Sequence, residues 1–147
     1  MDKYLILRST DCEKTYFPEN KPYDFKVNLN NPLHLKGEQW LVGLSEITLL
    51  NWSTGKKSNC VDVYICSSLC DTSYVGDSEL PVLRQICLHG NKRERKFVFP
   101  QCHYVPVKVK DIQNIDIYIK DRNSELASFI TGPVIVTLHL KPLPFWF

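Results

Sequence analysis

Apolar and polar residues alternate along most of this chain. Over 23–29, Tyr23, Phe25, Val27 and Leu29 share one parity while Asp24, Lys26 and Asn28 share the other. That period of two is expected of a half-buried antiparallel strand. Leu33 and Leu35 carry the extended run to Gly37. Three further segments repeat the pattern. Val61, Val63 and Ile65 stand against Asp62, Tyr64 and Cys66. Ile115, Ile117 and Ile119 stand against Asp116, Tyr118 and Lys120. Val134, Val136, Leu138 and Leu140 stand against Ile135, Thr137 and His139. Shorter signals predict a buried strand over 4–7, a strand through Leu83, Ile86 and Leu88 into a His89-Gly90-Asn91 turn, and an apolar piece over 96–99. Around Tyr104, Val105, Val107 and Val109 the central Pro106 demands an edge strand or a bulge. Segments 9–22, 53–59 and 67–81 read as loop or turn.

The chain is organised around 30–52. A turn-prone Asn30-Asn31-Pro32 opens it, and thirteen residues then run from Trp40 to Trp52 without proline and with one glycine. Trp40, Val42 and Leu44 carry the apolar face first; beyond Glu46 the face passes to Ile47 and Leu49. A one-residue phase change inside a strand means a bulge, a bend or a join, here at Ser45-Glu46. A helix over 40–50 would have no polar stripe, so the expectation is one long central strand. Eight or nine short strands with no convincing helical period give an all-β class, sandwich or barrel.

Composition adds limits. At 147 residues, 44% hydrophobic and 23% charged, the chain reads as one globular domain over 1–147. A net charge of +2 is too mild to argue for nucleic acid by itself. No apolar run approaches the roughly 20 residues that span a bilayer, so no membrane partner is expected. The opening MDKYLILRSTD has only four consecutive apolar residues and no small-residue cleavage site, and predicts no secretory signal. Six cysteines (Cys12, Cys60, Cys66, Cys70, Cys87, Cys102) in such a chain are expected to be reduced thiols, which leaves the Asn51-Trp52-Ser53 sequon idle.

Candidate chemistry is sparse. Cys66 and Cys70 form the one close cysteine spacing, with no second pair at zinc-finger distance, so no metal is expected. His34, His89, His103 and His139 contain no His-x-His pair, which counts against a cupin-like metal enzyme. No nucleophile elbow, HExxH or glycine-rich phosphate loop occurs. Asp11 and Glu13 read as a solvated loop pair. No catalytic residue and no cofactor site are expected, and the protein is read as a non-enzyme. The run Lys92-Arg93-Glu94-Arg95-Lys96 reads as a solvated turn, with nucleic acid limited to weak contact through Lys92, Arg93, Arg95 and Lys96. The C-terminal Phe145-Trp146-Phe147, behind two prolines, is a candidate subunit interface because exposed aromatics of this kind anchor contacts.

The segment 16–52 resembles the N-terminal signature of the minor capsid (penton) proteins of Polinton/Maverick elements and the related adintoviruses. The matching residues are Phe25, Val27 and Leu29, then Pro32, Leu33, Leu35 and Gly37, and then Trp40, Val42, Gly43, Leu44 and Glu46. Near the other end, Gly132 leads into a strand with Leu138-His139-Leu140. The motif covers about a quarter of the chain. The resemblance implies a single jelly roll of about eight antiparallel strands in two four-stranded sheets. It also implies a homo-pentamer at the five-fold vertices of an icosahedral shell, beside a double jelly-roll major capsid protein, assembled inside the host cell into the virion. It assigns Trp40 the role of fixing the long strand against the opposite sheet. The alternative is a β-sandwich carbohydrate- or peptide-binding module, for which Tyr74, Asp77 and Glu79 are the candidate contacts.

Overall fold

The computed structural model describes residues 2–11, 16–37, 39–54, 60–92 and 94–143. The described residues form only strands and connections. The strands are β1 (Lys3–Arg8), β2 (Asp24–His34), β3 (Trp40–Leu49), β4 (Trp52–Ser53), β5 (Cys60–Cys66), β6 (Ser73–Val75), β7 (Ser78–Leu80), β8 (Val82–His89), β9 (Asn91–Lys92), β10 (Arg95–Val98), β11 (Tyr104–Pro106), β12 (Asp111–Asp121) and β13 (Val134–Pro142).

Two antiparallel sheets carry the fold. The first has the order β1-β13-β3-β10, with β11 also on β3; the second has the order β2-β12-β5-β8. Strands β10 and β11 are two pieces of one interrupted strand, since both pair with β3. The eight long segments in chain order therefore lie as 1-8-3-6 and 2-7-4-5. That connectivity is the jelly roll.

The alternation in the sequence is the inside–outside parity of the sheets. Val134, Val136, Leu138 and Leu140 of β13 are fully buried between neighbours β1 and β3. Ile115, Ile117 and Ile119 do the same for β12 from the second sheet. Both inner faces and Trp52 join one core cluster. The phase change in β3 is a bulge. Thr137 pairs with Glu46 and Leu138 with Leu44, so Ser45 is the extra residue, and inward residues switch from even to odd numbers across it. A larger irregularity occurs in β2, where residues 29–32 stand opposite Gln113 alone. The Asn-Asn-Pro expected to turn therefore bulges within a continuing strand.

Several expectations need correction. The central strand stops at Leu49; Trp52 opens a separate short strand that pairs with β9 and bridges to Ile130. Backbone bonds from Thr131 and Gly132 to the Asn51 carbonyl pull the chain out of line there. Strand β1 is an edge rather than a buried strand: Leu7 is buried, but Tyr4 and Ile6 are 62% and 61% exposed. Segment 67–81 is not a plain surface loop. It holds the β6–β7 hairpin and buries Ser67, Leu69 and Cys70, the last bridging to Val107. Pro106 does lie at an edge, as its missing N–H requires.

Candidate functional site

Strand parity sends two unlike surfaces outward. On the first sheet, β1 presents Tyr4 and Ile6, β13 presents Ile135, Thr137, His139 and Lys141, and β11 presents Tyr104. On the second, β2 and β12 present Asp24, Lys26, Asp116 and Lys120, and Arg122 reaches Asp62 of β5 at 3.3 Å. The first outer face carries the exposed Tyr4 and Ile6 beside the Lys96–Glu46 ion pair; the second carries more charged groups, with Tyr64 and Tyr118 among them.

The first face is held by a network around His139. The Tyr104 hydroxyl lies 2.6 Å from His139 Nδ1, and His139 Nε2 lies 2.9 Å from Asp2 Oδ2. Burial, then a hydrogen bond with Cys102, pushes the Tyr104 phenol up to about 12, so it keeps its proton near neutrality. With a neutral His139 ring, the phenol donates to Nδ1 and the Nε2–H is directed at Asp2. Tyr4 stacks on the His139 ring at 4.6 Å and 6°, and Lys141 Nζ stands 3.9 Å over the Tyr104 ring. A phenol held in its protonated form is a poor nucleophile, so this arrangement positions aromatic groups rather than activating one.

Gly43 makes the network reachable. It is paired with Tyr104 on one side and His139 on the other, so the tyrosine ring crosses above it to meet the histidine. A Cβ on Gly43 would come within 3.1 Å of that ring and 2.9 Å of Cys102 Cβ. The sequence marked Gly43 as part of a motif but held no signal for this aromatic crossing.

The other candidates separate as follows. Phe145, Trp146 and Phe147 lie outside the described residues, as do Arg93 and the side chain of Lys92. Lys96 is paired with Glu46 at 3.2 Å, and the Arg95 guanidinium lies over the Phe97 ring at 4.6 Å, so the described part of the basic run is already engaged within its own sheet. Tyr74, 75% exposed, stands directly across the β6–β7 hairpin from Glu79, while Asp77 lies in its turn. Tyr74 also lines a shallow cleft of about 260 Å³ with Arg84 and His103. His34 pairs with Asp111 between β2 and β12.

The cysteines divide by burial. Burial pushes the Cys66 and Cys70 thiols each up to about 12, leaving them protonated and inert near neutrality. The expectation that all six are reduced is overturned at one pair. Cys60 and Cys87, on adjacent strands with Cα atoms 5.9 Å apart, are joined as a disulfide. The residues are 27 apart in sequence and diagonal in register, which chain spacing alone does not reveal. His89 lies beside them, its Nε2 3.8 Å from Cys87 Sγ.

No model of a known protein family matches the sequence, and no curated protein matches it. Among solved structures, the chain is similar to the crystal structure of the selenomethionine-labelled mavirus penton protein. The TM-score is 0.65 with 6% sequence identity, over 97% of this chain and 100% of that one. That likeness establishes the fold.

Proposed function

We propose that this chain is a structural capsid protein of penton type, one jelly-roll domain over 1–147 that forms homo-pentamers at the five-fold vertices of an icosahedral shell. The observation that carries the reading is the jelly-roll topology matched along essentially the whole of both chains by a penton protein. The two unlike outer faces favour it further. A ring repeats a heterologous contact, so each subunit must present two different surfaces that complement one another. A double jelly-roll major capsid protein of a Polinton- or adintovirus-like particle is the proposed neighbour, and the virion, assembled inside the host cell, is the proposed location. Phe145, Trp146 and Phe147 are assigned to subunit contact. No catalytic role belongs to this reading.

Light scattering on the purified protein tests it. A species near five times 17.1 kDa that dissociates on dilution is expected. A monomer that stays monomeric at high concentration and fails to co-assemble with a double jelly-roll capsid protein would refute it. The second reading, a binding module for carbohydrate or peptide, is favoured only by the exposed Tyr74–Glu79 pair beside its cleft. A glycan and peptide array, with Tyr74→Ala as control, separates it from the first.

A further inference from the structure

The outer face of the second sheet carries a cluster that the capsid reading does not use. Inward residues of β5 are odd-numbered (Val63 and Ile65 fully buried), whereas Ile86 and Leu88 of β8 point inward and Cys87 and His89 point out. The register pairs Cys60 with His89 and Asp62 with Cys87. Four outward side chains therefore form a square across two hydrogen-bonded strands, at the roughly 5 Å spacing of directly opposed residues. Asp62 is taken by Arg122. The donor atoms of Cys60, Cys87 and His89 all lie within 4.8 Å of one another.

We propose that, once the Cys60–Cys87 disulfide is reduced, Cys60, Cys87 and His89 bind one zinc ion with water in the fourth position. The donor set is two thiolates and an imidazole, which tetrahedral zinc favours. With zinc–sulfur bonds near 2.3 Å and zinc–nitrogen near 2.0 Å, donors of one tetrahedron sit about 3.4–3.8 Å apart. Cys87 Sγ and His89 Nε2 already stand at 3.8 Å. Cys60 and Cys87 keep their backbones 5.9 Å apart at Cα, so only a side-chain rotation separates the bridged pair from a chelating one. The two states exclude each other. A phosphine and one water open the disulfide to two thiols and a phosphine oxide; zinc then replaces the two thiol protons. Cys66 and Cys70 are fully buried and lie outside this donor cluster. The bound ion would clip β5 to β8, the edge strand of its sheet. This inference is independent of the capsid reading.

Cobalt(II) titration of the full chain tests it, after phosphine reduction and under argon. The expected result is one cobalt per chain, with a thiolate-to-cobalt charge-transfer band in the near ultraviolet and tetrahedral visible bands, all displaced by zinc. Cys60→Ser and Cys87→Ser should each abolish the band. His89→Ala should weaken binding by more than the roughly 10–100-fold that loss of a supporting residue costs. Cys102→Ser should change nothing, and the unreduced protein should bind no cobalt. Three results would overturn the proposal. One is a reduced protein, confirmed by thiol count, without the band. The second is a band that survives the Cys60→Ser/Cys87→Ser pair. The third is an affinity indifferent to His89→Ala, a variant on an exposed position that leaves both thiols in place.

Discussion

Replacing Gly43 with alanine isolates the device that holds the first outer face together. A strand glycine normally gains from substitution, by about 0.5–1 kcal/mol, because alanine loses less backbone freedom on folding. Here the added Cβ would meet Cys102 Cβ at 2.9 Å and two atoms of the Tyr104 ring at 3.1 Å. The cysteine Cβ is fixed to the backbone and cannot swing aside. The ring can move only by giving up the 2.6 Å bond to His139. Overpacking of this kind costs about 1–3 kcal/mol and the lost hydrogen bond about 1 more. The sum predicts a net destabilisation of about 1–3 kcal/mol, opposite in sign to the ordinary effect. Denaturant unfolding of Gly43→Ala, Tyr104→Ala and the double variant measures it. If the clash is the cause, the double variant will be more stable than the two single losses added together, with a coupling of about 1 kcal/mol or more. A Gly43→Ala protein as stable as the parent would refute the crossing geometry, and strict additivity would assign the loss to the Cys102 contact instead of the ring.

Three further outcomes are expected. Ile6→Asp should lower the mass of the assembled species in light scattering. Burying a side chain now 61% exposed is worth about 1–2 kcal/mol per contact, repeated five times in a ring; an unchanged mass would remove this face from the interface. Stability should fall above pH 9 through Cys66 and Cys70. Their native thiols titrate near 12 against 9 when unfolded, so the unfolded chain releases protons first and each contributes a loss of about 1.4 kcal/mol per pH unit. Denaturant titrations at pH 8–11 should show a shallower decline in Cys66→Ala/Cys70→Ala, and equal slopes would contradict the assignment. Opening the Cys60–Cys87 disulfide, which closes 27 residues of chain, should cost roughly 3–4 kcal/mol of stability on the loop-entropy account; thiol counts of native and reduced protein should differ by two.

The strand parities were legible in the sequence because each has one face in the core. The phase change placed an irregularity at Ser45-Glu46, since a register slip moves every later side chain across the sheet; the pairing with β13 makes it a bulge at Ser45. The jelly-roll expectation came from the motif around Trp40 and Glu46, and the strand order agrees with it. Features made by pairing between distant strands were not legible. Tyr104 and His139 are 35 apart, and only their common neighbour Gly43 unites them. The approach of Cys60 to Cys87 and His89 was not read from the sequence, because register between β5 and β8 supplies it. The β1 strand was misjudged as buried because four consecutive apolar residues look like a core run, whereas an edge strand on a two-faced patch reads the same way.

The contrast between the outer faces also limits how a ring could close. An isologous dimer would lay the Tyr4–Ile6 face on its own copy and leave both charged faces in solvent. A heterologous contact instead covers that face with a different part of the neighbour and repeats in one direction until it closes. The charged face is already partly neutralised within the subunit, through Arg122–Asp62 and through Asp116 accepting the backbone and side-chain donors of Ser68. Covering it therefore desolvates groups that keep their partners, the condition under which polar burial is tolerable. The Cys60–Cys87–His89 square lies on that same face. If the face is covered in the ring, zinc affinity and assembly must be linked in both directions. The mass distribution measured with and without the reduced metal site then reports which surface the neighbour covers.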